Sequence, residues 1–286
     1  MEARGFSIFP SVSFTGRQSI TMILFGFFIA ISASIIGGIC GIGGGVLIKP
    51  LLDITGIADP SQASFLSAVT VLTMTGYYTG KNLLTSRKVD NPIDYRVTVP
   101  LAVGASLGGV AGKVLFELIK SRNSSPNIVG VVQSIVLGVL VIGTLIYTLR
   151  KSKIKSLKIE KRSISLIIGL ALGLLSSFLG IGGGPFNIAV LFFFFSMETK
   201  DAVQNSLFII LFSQISSLTY MIVGGKIPEV DMRMLLFMAA GGVVGGVIGK
   251  RIGKQINSKT TDKLFIGLMV VIVGICTYNS IDRILN

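Results

Sequence analysis

The chain has 286 residues, 51% of them hydrophobic and only 14% charged, with a mean hydropathy of +0.79. Soluble domains carry about 25% charged residues, so the sequence lacks the polar skin of a water-soluble fold and reads as a membrane protein. Its net charge of +13 would suggest nucleic acid in a soluble chain, but here the excess lies in loops between apolar segments, where it sets orientation in a bilayer.

Residues 1–17 form an N-terminal tail. A bilayer core of about 30 Å takes roughly 20 apolar residues as a helix, and the first such stretch is 19–39. It reads as a retained span and not a cleaved leader, being too long and lacking a concentrated basic region before it. Gly41-Ile42-Gly43-Gly44-Gly45 then interrupts the helix, and a short apolar piece, 46–54, carries Lys49. That lysine either lies at membrane depth, where a charge is costly and commonly functional, or snorkels to the interface. The second span, 62–80, holds Ser64, Ser67, Thr70 and Thr73 near one face at helical spacing. The third, 97–119, repeats small residues at Gly104, Gly108 and Gly112, a pattern for close helix approach. The fourth is 128–149.

Residues 150–162, RKSKIKSLKIEKR, hold seven Lys/Arg against one Glu and read as a cytoplasmic linker. Beyond it lie a fifth span at 163–180, a second glycine run Gly180-Ile181-Gly182-Gly183-Gly184, and a short piece at 185–197 with Asn187. The sixth span, 202–223, carries Gln204, Asn205, Ser206, Ser213, Gln214, Ser216 and Ser217; spans at 232–249 and 263–280 complete the chain.

The halves match at near-constant spacing. The glycine run, Ala63 and Ser67 recur 139 positions later as Gly180–Gly184, Ala202 and Ser206. Gly104, Gly108, Gly109, Gly112 and Lys113 recur 137 positions later as Gly241, Gly245, Gly246, Gly249 and Lys250. This is a duplication, with repeats at 18–149 and 163–286. If the short pieces do not cross, the repeats are parallel and the basic loop 250–262 lies outside; if they cross, the repeats are inverted and 81–96, 150–162 and 250–262 all lie inside. The positive-inside rule favours inversion, which is common in transporters. The expected fold is therefore an all-α membrane protein of two inverted repeats, with eight full transmembrane helices and two short broken helices.

Four glycines in five residues make poor helix, since each costs about 1 kcal/mol relative to alanine. Such a run frees main-chain N–H groups, and a helix starting just after it adds a partial positive charge at the same spot. Two copies meeting near the midplane imply an anionic ligand; the competing reading is a glycine kink for close packing. The hydroxyls and amides of spans two and six suit an oxyanion without a trapping charge, or serve interhelical hydrogen bonding. The candidate binding set is Gly41, Ile42, Gly43, Gly44, Gly45, Lys49, Ser67, Thr70, Gly180, Ile181, Gly182, Gly183, Gly184, Asn187, Gln204, Asn205, Ser206 and Gln214. No catalytic residue is assigned, because no nucleophile–base pair is present.

The sequence has no His, the commonest metal ligand and proton shuttle, and the spans hold almost no carboxylates, which disfavours a metal-cation substrate. Cys40 and Cys276 lie far apart in apolar runs and suggest neither a zinc site nor a disulfide framework. No metal, cofactor or nucleic acid is expected. The implied partners are a small anionic substrate and the lipid bilayer, with a homo-oligomer left open.

With these residues identified, the chain resembles the TauE/SafE family of sulfite-exporter-like permeases. The resemblance rests on GICGIGGGVLIKPLL at 38–52 with ASFLS at 63–67, and FLGIGGGPFNIAVL at 178–191 with AVQNSL at 202–207. Together with the linker and glycine ladders it spans about 18–281. It implies a plasma (inner) membrane permease for a small sulfur-containing anion such as sulfite or sulfoacetate, not an enzyme, with the two glycine runs, Ser67 and Ser206 on the anion path. A passive anion channel, or a membrane subunit whose glycines only serve packing, stays open at this stage.

Overall fold

The computed structural model describes residues 16–84, 93–122 and 126–285; the tail expected over 1–17 lies outside these apart from its last two residues. All regular structure among them is helical: α1 (Gly16–Cys40), α2 (Gly45–Thr55), α3 (Pro60–Leu84), α4 (Tyr95–Arg122), α5 (Pro126–Arg150), a 3₁₀ turn (Lys151–Lys153), α6 (Arg162–Leu179), α7 (Pro185–Phe195), α8 (Thr199–Val223), α9 (Met232–Gln255) and α10 (Ser258–Leu285). Each expected span and both short pieces appear as helices. Large apolar side chains cover the outer surface, among them Phe28, Val139, Ile167 and Leu236, a surface that only lipid can solvate. This is a multi-pass membrane protein.

Seven of the described helices, not eight, are both long and apolar enough to cross a bilayer: α1, α4, α5, α6, α8, α9 and α10. The expected second span, α3, has the length, at 25 residues, but not the hydropathy. The reason is its position. Ser64, Ser67, Thr70, Val71, Met74, Thr75, Tyr78 and Thr79 are all buried, so protein rather than lipid surrounds α3 and its face need not be apolar. Its hydroxyls are largely satisfied within the helix: Ser64 donates to the Pro60 carbonyl at 2.7 Å, Thr70 to Leu66 at 2.8 Å and Thr75 to Val71 at 2.7 Å.

The glycine ladders join the two halves. A Cβ placed on Gly104 or Gly108 of α4 would lie 2.0 Å from the carbonyl oxygens of Leu166 or Leu170 in α6. On α9, the same atom on Gly245 or Gly249 would lie 2.6 Å from the carbonyls of Ile31 or Ile35 in α1. Each ladder thus presses onto the first helix of the opposite half. Gly108→Val is expected to destabilise the bundle by about 3 kcal/mol or more, because main-chain atoms cannot move aside as side-chain ends can. Gly143, with nothing within 4 Å of such an atom, should tolerate alanine or gain up to about 1 kcal/mol. Thermal unfolding of the two variants in detergent checks the contrast.

The same contacts fix helix directions. Along α9, Gly241 meets Phe27 and Ala30, Gly245 meets Ile31, and Gly249 meets Ile35, so α1 and α9 run parallel. Along α4, Gly104 meets Leu166, Gly108 meets Leu170, and Gly112 meets Leu174, so α4 and α6 run parallel. Helix α3 follows α9, with Thr70 at Gly242 and Met74 at Gly246. It opposes α8, since Asn82 bonds Gln204 while Phe65 clusters with Met221. Helix α8 in turn follows α4, with Thr98 on Asn205 and Glu117 on Tyr220. The corresponding helices α1 and α6 therefore point in opposite directions.

The linker is ordered against α7. The N–H groups of Leu157 and Ile159 donate to the carbonyls of Phe193 and Phe194, each at 2.8 Å, satisfying acceptors that a helix C-terminus leaves open. Lys151 bonds Asp262 at 2.6 Å beside Thr199, which bonds the other oxygen at 2.9 Å. A hollow of about 340 Å³ lies here, lined by residues including Tyr147, Lys151, Ser156, Phe192, Ser196 and Thr199. In the α8–α9 loop, the exposed Lys226 ammonium donates hydrogen bonds to Glu117 and to Tyr220, which hold it above its usual pKa.

Candidate functional site

Each glycine run ends one helix and reverses the chain into a short one. The Ile42 N–H reaches back to the Gly37 carbonyl at 3.1 Å, and the Ile181 N–H to the Ser176 carbonyl at 3.2 Å. Gly41 and Gly180 supply the left-handed turn this closure needs, at φ 74° and 67°. The chain then doubles back so tightly that a Cβ on Gly44 would lie 2.8 Å from the Ala33 carbonyl oxygen. Helices α2 and α7 start at once; in α7, Pro185 occupies the first position, where its missing N–H costs nothing.

The two runs meet. A Cβ on Gly45 would lie 1.8 Å from the carbonyl oxygen of Ile181, and one on Gly183 would lie 3.3 Å from the carbonyl oxygen of Ile42. All of 41–45 and 180–184 are buried. Val71 of α3 packs on both Gly43 and Gly182, and Ile210 of α8 packs on both Gly43 and Gly183, so one pair of side chains covers both bends. No hydrogen bond among the described residues uses the N–H groups of Gly43, Gly44, Gly45 and Val46, nor those of Gly182, Gly183, Gly184 and Phe186. The N-termini of two helices, each with its partial positive charge, thus converge on one buried place.

The remaining candidates divide. Ser206 donates to the Gly41 carbonyl at 2.6 Å and Ser67 to the Gly45 carbonyl at 3.4 Å, so both repeat-related serines touch the first bend. The Gln214 amide nitrogen lies 2.9 Å from a Cβ position on Gly182. Asn187, buried in the first turn of α7, leaves its Oδ1 without a partner among the described residues. Lys49 does not snorkel: it is 4% exposed, and its ammonium donates to Gln133 Oε1 and, at 2.7 Å, to the Leu179 carbonyl at the end of α6. Three side chains lead elsewhere. Thr70 bonds its own helix beside Gly242; Gln204 bonds Asn82 and Tyr78; Asn205 accepts from the Asp94 N–H at 3.0 Å and from Thr98 at the start of α4.

Sequence reasoning passed over Gln133, Val71 and Ile210. Gln133 carries a signal, being the lone amide in the span 128–149; it bridges Lys49 and the Phe178 carbonyl, to which its nitrogen donates at 2.6 Å. Val71 and Ile210 carry none, since one more aliphatic residue in an apolar span is uninformative. A family model described as "Sulfite exporter TauE/SafE" matches residues 26–275. No curated protein and no solved structure matches the chain.

Proposed function

This chain belongs to the sulfite exporter TauE/SafE family of membrane anion transporters, and on that premise we propose that it carries sulfite, or an organosulfonate such as sulfoacetate, across the plasma membrane. The anion binds where the two glycine bends meet. The observation carrying this reading is the contact between the bends, with eight main-chain N–H groups around it that no hydrogen bond among the described residues uses. Main-chain donors suit a tetrahedral or pyramidal oxyanion: they supply directed partial charge without a fixed cation that would hold the substrate too long. Ser67, Ser206, Asn187 and Gln214 surround the same place with neutral polar groups. Thr70, Gln204 and Asn205, bonded elsewhere, hold the surrounding helices.

The repeats in this reading are inverted, with α2 and α7 as re-entrant helices and α3 as an eighth crossing sheltered from lipid. The opposite runs of α1 and α6, and the burial of α3, support it; irregular backbone at membrane depth is tolerated where protein surrounds it. Val71 and Ile210 cover both bends, so they move as the halves rock to open the site alternately to each side.

The purified chain in liposomes is expected to give saturable flux of sulfite or sulfoacetate in a panel that includes thiosulfate, sulfate and simple carboxylates. Absence of flux for every anion overturns the reading in favour of a non-transporting subunit. Unitary currents that do not saturate replace the carrier with a channel.

A further inference from the structure

The repeat-related lysines of the ladders, Lys113 and Lys250, are both buried, at 4% and 6% exposure. The ladder explains its glycines but not the cations that follow them. Lys250 donates to the Tyr78 carbonyl at 2.9 Å and to Asn82 Oδ1, and lies 4.7 Å from the centre of the Tyr78 ring. All these partners are neutral. Two of its three ammonium protons are accounted for. The charged groups acting on it among the described residues, Lys254 and Lys81, are also cations. A buried ammonium with no counter-charge among the described residues is unfavourable as a cation, and an anion beside it offsets that cost.

This cationic cluster adjoins the first glycine bend. Gly249, next to Lys250, has its Cα 3.6 Å from a Cβ position on Gly38. Asn82 hands its amide nitrogen to Gln204, whose neighbour Val203 packs on Gly41 and whose near neighbour Ser206 bonds the Gly41 carbonyl. Lys113 makes no hydrogen bond among the described residues; it lies 5.9 Å from the Phe116 ring centre, and the acid acting on it, Glu117, is engaged by Lys226. Since α9 runs with α3 and against α4 and α8, Lys250 and Lys113 lie toward opposite ends of the bundle.

We infer that Lys250 and Lys113 are a pair of oxyanion stations, one on each side of the glycine bends, each receiving the substrate from one compartment. The inference rests on the transport reading above and adds where the anion docks before it reaches the main-chain amides. Each ammonium raises the local anion concentration along its own approach and hands the anion to neutral donors.

The test measures sulfite flux through the full chain in liposomes of known orientation, with substrate presented at one face and then the other. Lys250→Gln is expected to raise KM by about ten- to a hundredfold at one face, the range for losing one charged hydrogen bond, and to leave the other face near wild type. Lys113→Gln should do the converse, and Lys250→Arg should restore KM. If Lys250→Gln does not yield the wild-type particle, Asn82→Asp sets a carboxylate against the ammonium and should raise the same one-sided KM. Equal effects at both faces, or a fall in maximal rate with KM unchanged, overturn the stations. Failure of the unmodified chain to move sulfite instead overturns the transport reading itself, so the two failures are distinguishable.

Discussion

Gly45→Ala is expected to abolish sulfite flux in liposomes while a helical particle still forms. The added methyl would sit 1.8 Å from the Ile181 carbonyl oxygen, 2.7 Å from its carbon and 2.9 Å from Ser67 Oγ. The first two are main-chain atoms fixed by the turn that ends α6, so only parting of the two bends relieves the overlap. Misplacement of a binding constellation by about 1 Å can cost about a hundredfold in rate, and this substitution demands more. Overpacking of this kind also costs about 1–3 kcal/mol, so a modest fall in thermal stability should accompany the loss. Gly143→Ala is the matched control, since it adds the same methyl where nothing lies within 4 Å. Wild-type flux from Gly45→Ala would remove the contact between the bends from any account of transport.

The second large effect concerns Gln133. Its side chain accepts from the Lys49 ammonium and donates to the Phe178 carbonyl, while Lys49 also reaches the Leu179 carbonyl. Gln133→Leu removes an acceptor from a buried cation and leaves a buried carbonyl without its donor. Losing a hydrogen bond to a charged group costs about 1.5–3 kcal/mol, and a buried carbonyl left without its donor costs about 1–3 kcal/mol more. Lys49→Met removes the charge itself, and the Gln133 and Leu179 acceptors it leaves open are neutral, at about 1–3 kcal/mol. Gln133→Leu should therefore be the more destabilising of the two in denaturant titrations, and the double variant less destabilised than the sum. The reverse order would mean that water reaches the Lys49 ammonium.

What the sequence made legible follows the range of the interactions involved. Helix positions were plain, because apolar runs of bilayer length have few other meanings. The bends were plain as well, because GIGGG recurs at 139 residues. The ladder at Gly104, Gly108 and Gly112 announced a close neighbour but not which one, since the spacing describes one helix face and says nothing of α6 across it. Helix α3 reads in the sequence as an ordinary span, because length and mean polarity do not reveal that other helices enclose it. Thr70 and Asn205 matched the pattern of a polar lining, yet their side chains bond α3 itself and the start of α4; a side chain's own choice of partner is decided by local geometry. Lys49 had two readings, and only the presence of Gln133 and the α6 terminus beside it separates them.

The clasp between Leu157 and Ile159 and the last turn of α7 makes the two halves unlike. Helix α7 is tied at its far end to the very stretch that joins the two halves, whereas α2 closes in a glycine turn at Gly56, with Asn279 of α10 reaching the Pro50 carbonyl. Two main-chain hydrogen bonds, at about 0.5–1.5 kcal/mol each, fasten the last turn of α7 to the linker. Two halves that share one glycine bend and one ladder therefore differ at their seam, where one short helix carries a main-chain brace from the linker that the other lacks among the described residues.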